Sequence, residues 1–149
     1  MTYEEIYSQF YSKKTDPTFF KKYSKDEAYE LMRTWLHSIV AIPYVRKCFS
    51  TIALDDEILE LKFQLNNSID DDSDNNFVKD VFAQGMVICW MQQQIDNATS
   101  LATVIGGKEE KTILNNYKNN MARLEGLKVQ LRKTIRDYGY FNNEYIGDV

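Results

Sequence analysis

The sequence contains few of the residues that build disulfide frameworks, metal centres and nucleophilic sites. It has two cysteines, Cys48 and Cys89, and one histidine, His37, in 149 residues. Each cysteine has apolar neighbours, so we expect two small, reduced, buried side chains with no bridge between them. One histidine is too few for most metal sites and most nucleophile–base pairs, and His37 is expected on the surface.

Motifs that carry catalytic chemistry are also missing from the sequence. There is no phosphate-binding glycine pattern, no paired-cysteine motif and no Gly-x-Ser-x-Gly turn. The acidic run that starts at Asp70 fails as a calcium loop, because its sixth position is Asn75 instead of glycine and its twelfth is Val81 instead of an acid. We therefore expect a protein that is not an enzyme and that holds no cofactor and no metal.

Long apolar runs are absent as well. No stretch approaches the roughly 18 apolar residues that a membrane-spanning helix requires, and the first residues lack the basic and apolar pattern of a secretion signal. The sequence thus predicts a soluble protein made in the cytoplasm, with no membrane partner. Its hydrophobic share of 44% and charged share of 27% are typical of one globular domain.

Aromatic residues are what the sequence has in excess. Ten Tyr, eight Phe and two Trp make up 13% of the chain. Tyrosine is favoured where one end of a side chain is buried and the other meets water, as at interfaces. The composition therefore favours a protein that assembles with others.

Charge is distributed unevenly along the chain, although the total is only -4. The segment 55–80 carries nine acids and two bases, whereas the segment 108–136 carries eight bases and three acids. Opposite patches on one sequence can form a heterologous contact between copies. We predict inter-subunit pairing between acidic and basic side chains at Asp70, Asp71, Asp72, Lys128, Arg132 and Arg136. The alternative is a small helical regulatory or DNA-binding protein whose basic last helix contacts phosphates.

Local signals predict a mainly α fold, a small helical bundle. Thr2 with Glu5 and Ser24 with Glu27 form capping boxes that start two amphipathic helices, and Pro43 ends or kinks the second. A helix apolar on nearly every side covers Phe77 to Ile95. Gly85 within it indicates the close approach of another backbone.

The last helix is predicted to be long. Gly106 and Gly107 break the preceding pattern, and apolar residues then recur at helical spacing from about Glu109 to Asp137. That length exceeds what a small domain needs. Such a helix either packs along its whole side or projects beyond its own subunit.

Residues about 50–65 are predicted to form a short β-hairpin. Leu59, Leu61, Phe63 and Leu65 alternate with polar residues, and residues 51–54 could pair with them across an acidic turn. Without that pairing, the strand would need a partner from another copy. Both possibilities remain open from the sequence alone.

The C-terminal segment is predicted to be an extended docking tail. Residues 1–138 would form the helical domain and residues 139–149 the tail, which carries large apolar groups at Tyr140, Phe141, Tyr145 and Ile146. Termini seldom carry so many large apolar groups unless a partner orders them.

The chain resembles a family of similar length from tailed bacteriophages, and related prophages, of Gram-positive bacteria, the head-tail connector or neck adaptor proteins. The resemblance covers nearly the whole chain and is carried by four segments: Thr2 to Tyr7, Leu54 to Ile58, Asn76 to Trp90 and Leu131 to Tyr138. These are packing and turn signatures and not a catalytic fingerprint.

The resemblance implies a structural virion protein in the neck, made in the cytoplasm of the host bacterium. Its copies would form a ring, commonly a dodecamer, between the portal protein and a tail-side stopper or neck protein. The aromatic tail would dock into the portal. DNA would pass through the ring only as cargo, and acidic residues between Asp55 and Asp80 would face the lumen or the next subunit.

Overall fold

A computed structural model describes residues 1–13, 23–105 and 107–141 and confirms the mainly α prediction. In chain order the described elements are α1 (Tyr3–Lys13), α2 (Lys25–Val40), α3 (Pro43–Arg46), β1 (Phe49–Asp55), β2 (Glu60–Leu65), α4 (Asp71–Ile105) and α5 (Gly107–Phe141).

Both predicted capping boxes are present at the starts of α1 and α2. The Thr2 hydroxyl accepts a hydrogen bond from the Glu5 amide at 3.2 Å, and the Glu5 carboxylate accepts one from the Thr2 amide at 2.7 Å. Ser24 and Glu27 repeat this exchange. Helix α2 ends at Val40, and Pro43 begins the short α3, where its missing amide hydrogen costs nothing.

The predicted hairpin is present, and the strand finds its partner within its own chain. β1 and β2 pair antiparallel, with Ile52 opposite Phe63 and Leu54 opposite Leu61. On its other side β2 receives the N-terminus, since the Leu61 amide donates to the Met1 carbonyl at 2.7 Å. The alternative, a strand completed by another copy, is therefore wrong.

The core lies between α4 and the layer formed by α1, α2 and the hairpin. Its three largest fully buried side chains are Tyr3, Phe10 and Phe82, and Leu36 and Met86 are also fully buried. α4 contributes buried residues on several sides, which confirms its predicted central position. Gly85 does have a close neighbour, as expected, but that neighbour is the Ile39 side chain and not another backbone.

Gly85→Ala is expected to destabilise the fold by about 1–2 kcal/mol, since overpacking outweighs the better helix propensity of alanine. A Cβ on Gly85 would lie 2.8 Å from two carbon atoms of the buried, β-branched Ile39. Urea unfolding measures the change. The matched control is Gly139→Ala, because the nearest atom to its added Cβ is the Asn67 side-chain nitrogen at 3.8 Å, an ordinary van der Waals distance. That variant should be stabilised by up to about 1 kcal/mol, and equal effects at both glycines would contradict the packing argument.

Helices α4 and α5 form a long helical hairpin. They meet at Gly107, whose φ of 72° suits glycine, which agrees with the predicted break; Gly106 lies outside the described residues. Each helix has 35 residues, about 52 Å at 1.5 Å per residue. A second small core of Met91, Ile95 and Leu124 joins the two helices away from the main core. The hairpin thus extends past the compact body.

The predicted boundary between domain and tail requires a correction. α5 continues to Phe141, so Tyr140 and Phe141 belong to the helix and not to an extended segment that begins at residue 139. Gly139 keeps helical backbone, so the helix continues past Tyr138 without a break. Tyr145 and Ile146 lie outside the described residues.

Candidate functional site

The turn between β1 and β2 presents two apolar side chains to solvent. Ile58 is 56% exposed and Leu59 is 48% exposed. Leu59 also has a φ of 55°, a left-handed conformation that costs a non-glycine residue of order 1 kcal/mol or more. The sequence assigned Leu59 to the strand, whereas the strand begins one residue later, at Glu60. The turn therefore combines backbone strain with uncovered apolar surface.

A polar network fixes this turn to the helical body. Asp56 accepts a hydrogen bond from the Tyr3 hydroxyl at 2.6 Å, and Nε2 of His37 lies 3.0 Å from both of its carboxylate oxygens. These bonds from Tyr3 and His37 lower the pKa of Asp56. The Tyr3 amide also donates to the Leu59 carbonyl at 2.9 Å. His37 is exposed as predicted, but it anchors the turn as well.

A groove of about 500 Å³ lies beside the turn, between α1 and α2. We define the groove by four residues: Tyr7 and Tyr29, whose rings stack at 5.7 Å, and Ile58 and Leu59 at one end. Burial raises the pKa of Tyr7, so its hydroxyl stays neutral over the ordinary pH range. The groove is mostly apolar and is preformed by rigid elements.

The rim of the groove is acidic. Glu4 and Asp26 line it, and Glu57 precedes Ile58 in the turn. No salt bridge to these three acids occurs among the described residues. Arg33 and Glu30 also line the groove, but they pair with each other, and the nearby Lys25 lies over the Tyr29 ring at 5.7 Å. The groove thus suits an apolar surface that carries positive charge.

The outer face of α5 is the second uncovered surface. Leu124 and Leu131 point into the protein and are fully buried, so helical periodicity turns Ala122, Gly126, Val129 and Lys133 outward. Val129 is 60% exposed. Gly126 costs the helix about 1 kcal/mol relative to alanine, and no atom of the described chain comes within 4 Å of its missing Cβ. Packing within the described chain gives no reason for a glycine here.

The predicted acidic group lies at the start of α4. Asp70 accepts a hydrogen bond from the Ser73 amide at 2.7 Å, which caps the helix, and Asp71 and Asp72 are exposed in its first turn. Carboxylates there are favoured by the positive end of the helix dipole. All three carboxylates therefore stabilise the start of α4, and no salt bridge to them occurs within the described ranges.

The predicted basic group lies along α5, and each member has a neighbour in its own chain. Lys128 pairs with Glu125 at 3.5 Å, and Arg136 approaches Asp137 at 3.7 Å. The Arg132 guanidinium lies over the Tyr44 ring at 5.4 Å. These exposed contacts are worth little energetically and leave the charges available to a partner.

Folding brings the start of α4 close to the end of α5. The Tyr138 hydroxyl, near the end of α5, donates to Asp74 in the acidic first turn of α4. That first turn and the bases Arg132 and Arg136 therefore lie at the same end of the helical hairpin. The two charged segments are well separated in sequence but not in space. Pairing between copies through Asp70, Asp71, Asp72, Lys128, Arg132 and Arg136 stays a prediction.

No family model, curated protein or solved structure matches this chain. The surfaces are therefore interpreted from their own chemistry.

Within the described ranges, no group of three or more His, Cys, Asp and Glu side chains is arranged to hold a metal ion, and no helix is both long and apolar enough to cross a membrane. Both cysteines are free and partly buried, less deeply than the sequence predicted. Burial raises the pKa of the Cys89 thiol to about 11 and also raises that of Cys48. Both thiols are therefore weak nucleophiles near neutral pH.

Two features of these surfaces escaped the sequence analysis. Ile58 and Leu59 are adjacent apolar residues inside an acidic turn, a pattern that could have marked them as exposed. Gly126 does not interrupt the helical spacing of apolar residues, so the sequence shows only that a long helix contains a glycine near its middle. Its open surroundings depend on the packing of α5 against α4.

Proposed function

We propose that this protein is a structural subunit that associates with copies of itself. The proposal is carried by uncovered apolar side chains held on rigid elements, above all Ile58 and Leu59 in a turn anchored through Asp56. A monomer gains nothing from a strained, exposed leucine, whereas an interface would bury it. Val129 adds a second such position on α5.

Within this proposal, the specific role is that of a head-tail connector in a phage neck. One support is the resemblance, which is carried by Thr2 to Tyr7, the turn from Leu54 and the helical segments. The other is the long hairpin of α4 and α5, whose sides suit lateral contacts between copies. The subunit would join a ring, a dodecamer as the resemblance implies, that meets the portal on one side and a stopper on the other. DNA would pass through it as cargo.

Sedimentation velocity of the unmodified chain over a range of concentrations tests self-association. We expect species larger than the 17.5 kDa monomer, with a share that grows with concentration by mass action. A monomer at every concentration would overturn the proposal.

Portal binding is tested separately, with a chain that ends at Phe141. This end point keeps α5 intact and removes only residues 142–149. We expect the shortened chain to lose portal binding in a pull-down, and a full-length chain with Tyr145→Ser and Ile146→Ser to lose it as well. Unchanged binding of both chains would refute the docking role of the tail. DNA retention at low salt would instead favour the basic-helix alternative.

A further inference from the structure

We infer that the groove of one copy receives the outer face of α5 from a second copy. This inference rests on the proposed self-association and names the two surfaces that meet. The groove consists of Tyr7, Tyr29, Ile58 and Leu59, and the outer face consists of Ala122, Gly126, Val129 and Lys133.

Shape is the first argument for this pairing. The groove is a concave, mostly apolar surface between two helices and a fixed turn. The outer face is a smooth helical ridge, because Ala122 and Gly126 are small and Val129 is the largest apolar group on it. A glycine on a helix surface allows another backbone to approach closely. The absence of any neighbour around Gly126 in the described chain leaves that approach to a partner.

Charge is the second argument. The rim acids Glu4, Asp26 and Glu57 have no ionic partner among the described residues. Lys133 likewise forms no salt bridge within the described ranges, and Arg132 and Arg136 flank the outer face. Docking would bring these bases to the acids while apolar groups are buried at the centre. That distribution, an apolar middle with a charged rim, is typical of specific interfaces.

The same charges argue against other occupants of the groove. Residues 142–149 contain Glu144 and Asp148 and no base, so the acidic rim would repel them. A second groove is excluded as partner for the same reason, because like charges would face each other. The outer face of α5 combines apolar surface with exposed positive charge, which is what the rim favours.

A contact between two different surfaces is heterologous, so each copy offers one groove and one outer face. Such contacts close into a ring or continue as a filament, depending on the rotation between copies. They also allow a complementation test, because each surface can be disabled without the other.

The groove variant is Leu59→Asn and the face variant is Gly126→Gln. Asparagine tolerates the left-handed conformation at position 59, and glutamine favours helix at position 126. At a concentration low enough for every chain to be monomeric, both variants should therefore unfold at the same temperature as the unmodified chain or at a higher one. Each should nevertheless associate at least tenfold more weakly. The matched controls are Ile69→Asn, an exposed apolar residue outside the groove, and Asn116→Gln, an exposed position nearer the start of α5.

Mixing the two variants gives the decisive measurement. Each should be monomeric alone in sedimentation velocity, whereas an equal mixture should give a discrete dimer. In that dimer, the intact outer face of the groove variant fills the intact groove of the face variant. If the unmodified chain assembles but both variants and both controls assemble equally well, the assigned surfaces are wrong while self-association stands. If the unmodified chain is monomeric, self-association itself fails.

Discussion

Replacing Asp74 with alanine is expected to lower the free energy of unfolding by about 3 kcal/mol, the upper range for a buried hydrogen-bonded carboxylate. Asp74 is only 7% exposed. Its carboxylate accepts hydrogen bonds from the Ile69 amide at 3.0 Å and from the hydroxyls of Ser68 and Tyr138. Alanine would leave these donors without their partner. Urea unfolding monitored by circular dichroism measures the loss.

Two comparisons separate this network from a general effect of removing acid. Asp72→Ala removes an exposed carboxylate from the same helical turn and should cost less than about 1 kcal/mol. Tyr138→Phe removes the hydroxyl but keeps the ring that stacks on Phe77 at 3.9 Å, so about 1 kcal/mol is expected. Equal losses for Asp74→Ala and Asp72→Ala would show that Asp74 does not hold the end of α5.

The network also sets a pH dependence. Burial raises the pKa of Asp74, but the hydrogen bonds from Ser68, Tyr138 and Ile69 outweigh it and lower the pKa below its ordinary value. The unfolded chain therefore binds this proton more readily, so the stabilisation is complete above about pH 4 and is lost as the pH falls through the folded-state value. Asp74→Asn should show a shallower loss of stability in that acid range. Glu5 and Asp56 also have lowered pKa values, so the assignment rests on the difference between variant and unmodified chain.

Local signals in the sequence correctly predicted the starts of α1 and α2 and the hairpin. A capping box such as Ser24 with Glu27 involves residues three positions apart, so its chemistry is visible without the fold. The alternation through Leu61, Phe63 and Leu65 likewise fixed which side of the strand faces the core. The break before Gly107 was equally local.

Features that depend on distant parts of the chain could not be predicted. Asp74 belongs to the same acidic run as Asp70, yet it is buried because Tyr138 reaches it from 64 residues away. Gly85 correctly indicated a close neighbour, but its spacing could not identify the Ile39 side chain. The strain at Leu59 arises from the turn that β1 and β2 impose, which residue preference alone does not give.

The charge pattern shows why sequence separation is a weak guide to interaction surfaces. The sequence suggested that the acidic and basic segments form separate, oppositely charged parts of the molecule. The antiparallel packing of α4 and α5 instead places the end of the basic segment beside the acidic start of α4. Glu4, Asp26 and Glu57, which form no salt bridge among the described residues, lie elsewhere, next to the apolar groove and turn. A patch becomes informative when charge, exposure and apolar neighbours coincide on the folded surface.

Leu131→Ala is expected to destabilise the whole protein by about 2–5 kcal/mol, as for other fully buried leucines. Leu131 lies in the main core and fixes α5 to the body. Leu124 is equally buried, but among the described residues its cluster has just two other buried members, Met91 and Ile95, with four partly buried side chains around them. Leu124→Ala should therefore mainly promote local opening of the extended part of the helical hairpin.

Hydrogen exchange measured by mass spectrometry distinguishes these two outcomes. Leu131→Ala should raise exchange in every helix by a similar free energy, whereas Leu124→Ala should raise it mainly near Met91 and Tyr117 and leave α1 and α2 protected. Gln130→Ala, at an exposed position between the two leucines and outside the outer face of α5, is the control and should change exchange little. A uniform rise for Leu124→Ala would mean that the hairpin and the body unfold as one unit. A local rise would mean that the body, including the groove and the acidic rim, stays folded while the far part of the hairpin opens.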